Sequence, residues 1–351
     1  MKSYKKWIIC VLTGLALFIV ANLCVWEIFT KDILSDNIKS GDYTRVGYIT
    51  GSSYSAKPGY HGTKSRMESY DYKNEPVDLI TIGDSFSNGC GRKGPYYQDW
   101  IASNRSLNVL NIQRLSGADF FETVVIMLNS GFFGELHPKA ILIERVERHV
   151  IDSFSKNFDM EETRPIEDVR KDFHEARFIN NPPSIGFLNV GNFKFLLYRY
   201  LRTIRDNAFF SKVYMRDLDR SFFNVYNDRS LIWAHEDVEH LSRENDHSIK
   251  KVNDNFNALA EKLSQKGIKL YFMPIVDKYN LYSEFLVQNP YPSSHFFENM
   301  RPLPKKYQFI DTKTILYPMV AKGEKDVYWA DDSHWSWKAS EKILEATNIG
   351  K

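Results

Sequence analysis

Five short apolar runs, spaced along the chain and separated by helical stretches, limit the folds open to it. Val77–Ile82, "LNVLNI" (107–112), "KAILIERV" (139–146), "IKLYFMPI" (268–275) and "YQFID" (307–311) each read as a buried strand. Between and after them, Pro95 opens a helical stretch through Ile101, and helices are expected at 118–130, 248–266, 312–321 and 336–347. Strands alternating with helices predict an α/β fold, a doubly wound and mostly parallel five-stranded sheet. Functional groups then belong at the carboxyl ends of the strands. Residues 151–245 break the rhythm with aromatic and charged sequence, including "FKFLLYRYLRTIR" (193–205), and read as a helical insertion on the rim.

The N-terminus follows another rule. Lys2, Lys5 and Lys6 precede an uncharged run from Trp7 to Trp26. Twenty such residues in a helix rise about 30 Å, the thickness of a bilayer's hydrocarbon core. The flanking tryptophans suit the two interfaces, and the lysines favour the cytoplasmic side. A cleaved signal peptide would have a shorter apolar region and small residues at its cleavage site, and Ala21-Asn22-Leu23 matches that poorly. Leu23 before Cys24 also argues against a lipoprotein signal. The expectation is an uncleaved single-pass transmembrane helix in the cytoplasmic membrane, with its N-terminus inside, in contact with lipid over residues 7–26 and with residues 30–351 outside. The chain then divides into 1–28 (lysines and anchor), 29–76 (a polar stalk or entry segment) and 77–351 (the main domain, carrying the insertion).

Composition excludes one class of partner. With 46 basic and 44 acidic residues the chain has a net charge of +2, which gives no electrostatic case for nucleic acid. Of the three cysteines, Cys10 and Cys24 lie in the anchor. Cys90 is left alone, without a disulfide partner in the outer domain, and reads as a small packing residue.

The first strand stops at Gly83-Asp84-Ser85 in "ITIGDSFSNG". A tight glycine turn there places the Ser85 hydroxyl at the rim, where backbone N–H groups can stabilise an oxyanion. Asp84 and Ser85 could equally cap a helix. A nucleophilic serine needs a base, and the base an orienting acid. "YWADDSHWSWKAS" supplies both, because Asp331 and Asp332 precede His334 by three and two residues. That loop follows the last strand and opens the last helix, so it too belongs at the rim. Either motif alone would pass for an ordinary surface loop; the two together, at these places in the rhythm, are more specific.

On these residues the chain resembles the SGNH hydrolase superfamily, and within it the membrane-anchored polysaccharide O-acyltransferases. "GDSFS" is similar to the family's nucleophile block and "DDSHWS" to its last block, where alginate O-acetyltransferases have Asp-Thr-His-Trp. The serine-first order and the anchor are similar to the teichoic acid D-alanylation protein. The resemblance covers roughly 77–150 and 246–347. It implies a flavodoxin-like SGNH fold, with Ser85 as nucleophile, His334 as base and Asp332 as orienting acid; Asp331 takes that place in the superfamily's esterases. "LSGAD" (115–119) resembles the block whose glycine donates to the oxyanion, which implies that Gly117 assists the Ser85 N–H. The esterases' Gly-x-Asn-Asp is missing after the third strand. Glu144, Glu147 and Arg148 resemble the Glu-x-x-Glu-Arg of the acyltransferases.

The resulting expectation is an extracytoplasmic O-acyltransferase, acetyl for preference, acting on a cell-envelope or secreted polysaccharide through an acyl-serine. The resemblance implies a multi-pass membrane O-acyltransferase as donor partner and calls for no cofactor or metal. Arg148, Trp335 and Trp337 are expected to bind the sugar, by donation to its oxygens and by stacking on its faces. An esterase with water as acceptor is the second reading, and a non-catalytic scaffold of an envelope assembly the third. "HEDVEH" (235–240) spaces its histidines five apart rather than four and is set aside as a zinc motif. Asp277 and Lys278 either line the cleft or form an exposed ion pair. Residues 193–220 carry seven Lys/Arg among seven aromatics, which suits a lipid surface, a glycan, a membrane partner, or packing on the domain.

Overall fold

The computed structural model describes residues 2–34, 41–49, 62–88, 96–175 and 185–350; Cys90 and Pro95 lie outside them. The predicted runs become β2 (Leu79–Ile82), β3 (Val109–Ile112), β4 (Ala140–Val146), β7 (Lys269–Ile275) and β8 (Gln308–Phe309). Every residue of β2 and β3 is buried, as expected of strands covered on both faces by helices. The sheet has six strands rather than five, because β1 (Met67–Glu68), from the entry segment, pairs with Leu110 and Asn111. The strand order is β1-β3-β2-β4-β7-β8 and each pairing is parallel. The chain places β3 on one side of β2 and β4 on the other, so a crevice opens at the carboxyl end of β2.

The helices stand where the apolar periodicity put them. Phe120–Asn129 begins at a reciprocal cap: Asp119 accepts the Glu122 N–H at 2.8 Å, and Glu122 accepts the Asp119 N–H at 2.8 Å. Asp246–Ser264 covers β7 through Ile249, Val252, Phe256 and Leu263, with Phe256 stacked on Phe272 at 4.0 Å. Thr312–Ala321 packs on β7 and on Trp337–Ala346, which in turn packs on the helix Tyr97–Arg105.

Two expectations change. The insertion is not purely helical: beside helices Ile166–Phe173 and Val190–Leu201 it holds an antiparallel pair, β5 (Val213–Asp217) and β6 (Ser230–Ala234). Trp233 and Leu231 of β6 enter the main core, while Val213 and Ile232 form a second cluster with Tyr43 and Ile49. That cluster is why the entry segment, over its described residues, is no detached stalk: the short helix Asp42–Gly47 is packed down against the insertion. At the N-terminus, residues 4–34 form one apolar helical stretch whose side chains are largely exposed. By length and composition it is compatible with a single-pass anchor or with a signal sequence.

Candidate active site

The turn after β2 depends on Gly83, since a Cβ there would stand 2.2 Å from the Glu144 carboxylate. The chain then coils over residues 84–88, with the Ser87 and Asn88 N–H groups donating to the Asp84 carbonyl at 3.0 and 2.8 Å. The Asp84 side chain faces inward, accepting from the N–H groups of Phe86 (3.1 Å) and Val146 (3.0 Å). Ser85 is thereby left exposed at the sheet's carboxyl rim.

The loop before the last helix folds back on itself. Tyr328 and Trp335 form a bridge, and the Trp329 N–H donates to the His334 carbonyl at 3.2 Å. His334 Nε2 lies 2.8 Å from Ser85 Oγ, and its Nδ1 lies 2.7 Å from Asp332 Oδ1. An ionised carboxylate only accepts, so Nδ1 carries the proton and Nε2 presents its lone pair to the serine hydroxyl. Phe86 packs against the imidazole at 4.6 Å and holds its plane.

Asp331 points the other way. Its carboxylate accepts the Gly41 N–H at 2.5 Å and its carbonyl the Tyr43 N–H at 3.2 Å. A Cβ on Gly41 would come within 2.0 Å of that carbonyl, so the contact requires glycine. Asp331 thus ties the entry segment to the loop, and Asp332 orients the ring.

The entry segment also supplies a carboxylate that sequence reading missed. Asp42 accepts the Ser333 N–H at 2.8 Å and the Ser333 hydroxyl, and its Oδ2 lies 3.9 Å from His334 Nδ1. Burial, and next the charge of Asp332, push Asp42 up to about 6 against the pull of His334 and the Ser333 hydrogen bonds. Lying far off in sequence, within a polar stretch, it gave no signal. Asp42, Asp332 and His334 bring three donor atoms within 4.8 Å of one another. Both ring nitrogens are already engaged in hydrogen bonds, an arrangement that fits proton transfer better than metal ligation.

Beneath the site lie two buried supports. Lys278 is fully enclosed, and its Nζ donates to the carbonyls of Trp329 (2.7 Å), Ala330 (2.9 Å) and Asp332 (3.3 Å). It is therefore neither a cleft lining nor an exposed ion pair. Burial lowers it to about 8, with Asp331 and Asp332 acting in opposition. On the other side, Glu144 is raised well above the usual carboxylate range, by burial first and the charge of Asp84 second. Its Oε2 accepts the Ser87 hydroxyl at 2.7 Å, and it shares a hydrogen bond with Asp84. Two carboxylates sharing one hydrogen bond need a proton between them. Glu144 holds it, and Asp84 stays ionised, lowered by Arg145 and the Val146 N–H against its burial.

The remaining expected residues divide. Gly117 adopts a left-handed φ of +69° in the exposed turn after β3, on the same rim as Ser85. Arg148 does not face an open cleft: its side chain is 10% exposed and is held by Asp277 and, at 3.2 Å, Asp237. Glu147 is buried, accepting from the Asp277 N–H at 2.8 Å and the Asn280 amide at 2.7 Å. Trp335 is buried edge-on against Phe86 at 5.1 Å, and Trp337 stacks on Trp100 at 6.1 Å. Trp335 and Trp337 thus pack the loop and the last helix, and Arg148 pairs its charge with carboxylates of the insertion and of the turn after β7. Of the histidines in "HEDVEH", His235 is exposed and His240 buried.

No family model, curated protein or solved structure matches the chain.

Proposed function

We propose that the protein is a serine-dependent acyltransferase working outside the cytoplasm, with a polysaccharide hydroxyl as acceptor. The observation that carries the reading is the hydrogen-bonded relay from Asp332 through His334 to an exposed Ser85. A histidine fixed by a carboxylate behind and a hydroxyl in front is what acyl transfer through serine requires.

Ser85 Oγ attacks the acyl carbonyl while His334 Nε2 takes the hydroxyl proton. The N–H groups of Ser85 and Gly117 meet the oxyanion. The leaving group departs with the proton from His334, leaving an acyl-serine. A sugar hydroxyl then attacks the acyl carbon and gives its proton to His334; the bond to Ser85 Oγ breaks, His334 returns that proton to Oγ, and the ester stays on the sugar. The apolar N-terminal helix serves as a membrane anchor in this reading, and a multi-pass acyltransferase delivers the acyl group, most simply acetyl. Support for a sugar acceptor comes from the resemblance of "GDSFS" and "DDSHWS", since Arg148 and Trp335 are committed elsewhere. Effective molarities of 10⁵ M and above let an oriented hydroxyl outrun water at about 55 M.

The assay uses the purified full-length chain in detergent with an activated acetyl ester, with and without a panel of oligosaccharides. Acetylated sugar that vanishes in Ser85→Ala is the expected product. Free acetate alone across the panel would make the enzyme an esterase, and no turnover beyond that of Ser85→Ala would leave a scaffold.

A further inference from the structure

The helix Val190–Leu201 is apolar on both sides. One side, through Gly191 and Phe195, packs on the end of the N-terminal helix: Phe195 joins a buried cluster with Trp26, Ile33 and Leu34 and stacks on Phe29 at 5.1 Å. The opposite stripe, at the i, i+3, i+6 and i+10 positions, is Val190 (67% exposed), Phe193 (70%), Leu196 (49%) and Tyr200 (67%). A helix bathed in water presents polar residues there. Leu188 before it and Ile204 after it are likewise exposed.

Its position along the N-terminal helix suggests what covers that stripe. Asn192 donates to the Asn22 carbonyl at 3.3 Å and to its side-chain oxygen at 3.2 Å, and accepts from the Thr30 hydroxyl at 2.5 Å. A groove of about 530 Å³ runs between the two helices, lined by Phe18, Ala21 and Val25 on one side and Leu188, Val190 and Phe193 on the other. At 1.5 Å per residue, Asn22 and Phe18 lie about 6 and 12 Å inward of Trp26. With residues 7–26 spanning a bilayer, the start of the second helix therefore sits at the depth of the outer leaflet's acyl chains. The charges agree. No acidic residue occurs from 185 to 205, while Lys194, Arg199, Arg202 and Arg205 do. Arg202 is turned inward onto backbone carbonyls of Asp206, Val213 and Gly47. Arg199 and Arg205 are exposed, where they can meet anionic headgroups.

We infer that residues 187–200 form a wedge seated in the outer leaflet of the membrane, with lipid acyl chains filling the groove beside the anchor. The inference rests on the reading of residues 7–26 as a membrane span. Its consequence is orientation. A single span leaves an outer domain free to tilt, whereas a second contact sets the height and facing of Ser85 above the bilayer.

Spin-label accessibility tests this on the full-length chain in phosphatidylcholine–phosphatidylglycerol vesicles, with Cys10, Cys24 and Cys90 replaced by serine. Nitroxides are placed by Phe193→Cys and Leu15→Cys, and by Tyr226→Cys on the 88% exposed Tyr226 as a water reference. The expected result is that Phe193→Cys matches Leu15→Cys, relaxed by oxygen and protected from a water-soluble nickel complex, with Val190→Cys repeating it. Nickel access at 193 equal to that at 226, with 15 protected, overturns the wedge and leaves the anchor standing. Nickel access at 15 as well removes the anchor and the wedge together. Protection at 193 from both reagents means coverage by protein, a second copy of this chain, and overturns the assignment to lipid.

Discussion

The Asp42 carboxylate stands 3.9 Å from Nδ1 of His334, beside the oxygen of Asp332 that bonds the same nitrogen. Two carboxylates thus face one imidazole, and the second comes from the segment that leaves the N-terminal helix. Asp42 ionises near pH 6, and above that its charge favours the imidazolium that forms when Ser85 is deprotonated. At about 4 Å in water-like surroundings a charge pair is worth about 1 kcal/mol, or roughly 0.7 of a pH unit. Asp42→Asn should move the acid limb of kcat/KM to lower pH by about that much and lower the plateau. The folded value lies above the free carboxyl's, so the stability Asp42 lends is full below pH 3.8 and fades through about pH 6. Melting curves at pH 4.5 and 7.5 should show the variant lacking that fall. Unchanged limbs and slopes would make Asp42 a spectator.

Asp331 and Asp332 are neighbours with unlike duties. Asp332→Ala removes the partner that fixes the tautomer of His334, and kcat should fall about 10³- to 10⁴-fold. Asp331→Ala breaks the hydrogen bond to Gly41. It should cost about 1–3 kcal/mol of stability, with only a modest loss of rate and an unmoved pH profile. The opposite ranking in steady-state kinetics would transfer the orienting role to Asp331.

Glu144 lies in β4 with its proton shared toward Asp84. A glutamine carries the same donor and acceptor without the acidity, so Glu144→Gln should keep Ser85 in place and leave kcat within a few-fold. The raised folded value means that wild-type stability from this group is complete below pH 4.5 and declines as pH rises. Denaturant midpoints of Glu144→Gln and wild type should therefore diverge in the variant's favour between pH 4 and pH 8. Glu144→Ala, which leaves a cavity and strips the Ser87 hydroxyl of its carboxyl partner, with only Tyr97 left at 3.0 Å, should destabilise at every pH. A Glu144→Gln midpoint below wild type across the range would mean that Glu144 is ionised.

Which parts of the site are legible in the sequence depends on locality. Ser85 follows its strand directly, and Asp332 and His334 share one loop, so strand rhythm and short spacing were enough to bring them to one rim. Asp42 and Gly41 reach the site only through a tertiary contact across most of the chain. Their polar surroundings carry no periodicity, so the segment read as a stalk. The same blindness misassigned Arg148: its rim position was legible, but Asp237, which joins Asp277 in holding it, comes from the insertion. β1 is a two-residue strand, too short for alternation to register, whereas β8, equally short, lies inside the run 307–311 that reads as a strand.

Lys278 holds the loop from below, and its contribution can be told from mere bulk. Lys278→Met keeps the unbranched stem and loses the donor to three buried carbonyls. The Asp332 end of the loop should then loosen, and a displacement of about 1 Å costs on the order of 10² in rate. Stability supplies the distinguishing sign. Burial sets Lys278 to about 8 against 10.5 in the unfolded chain. Its stability contribution is full above 10.5 and is lost as pH falls through about 8. Wild-type stability should thus rise across that window by a step the methionine variant lacks. The difference between the two midpoints, wild type minus Lys278→Met, should grow from pH 7 to pH 10, with tyrosine ionisation cancelling because both proteins share it. A difference that stays flat over that range would mean that Lys278 remains charged throughout and that its hold on the loop is not tuned by burial.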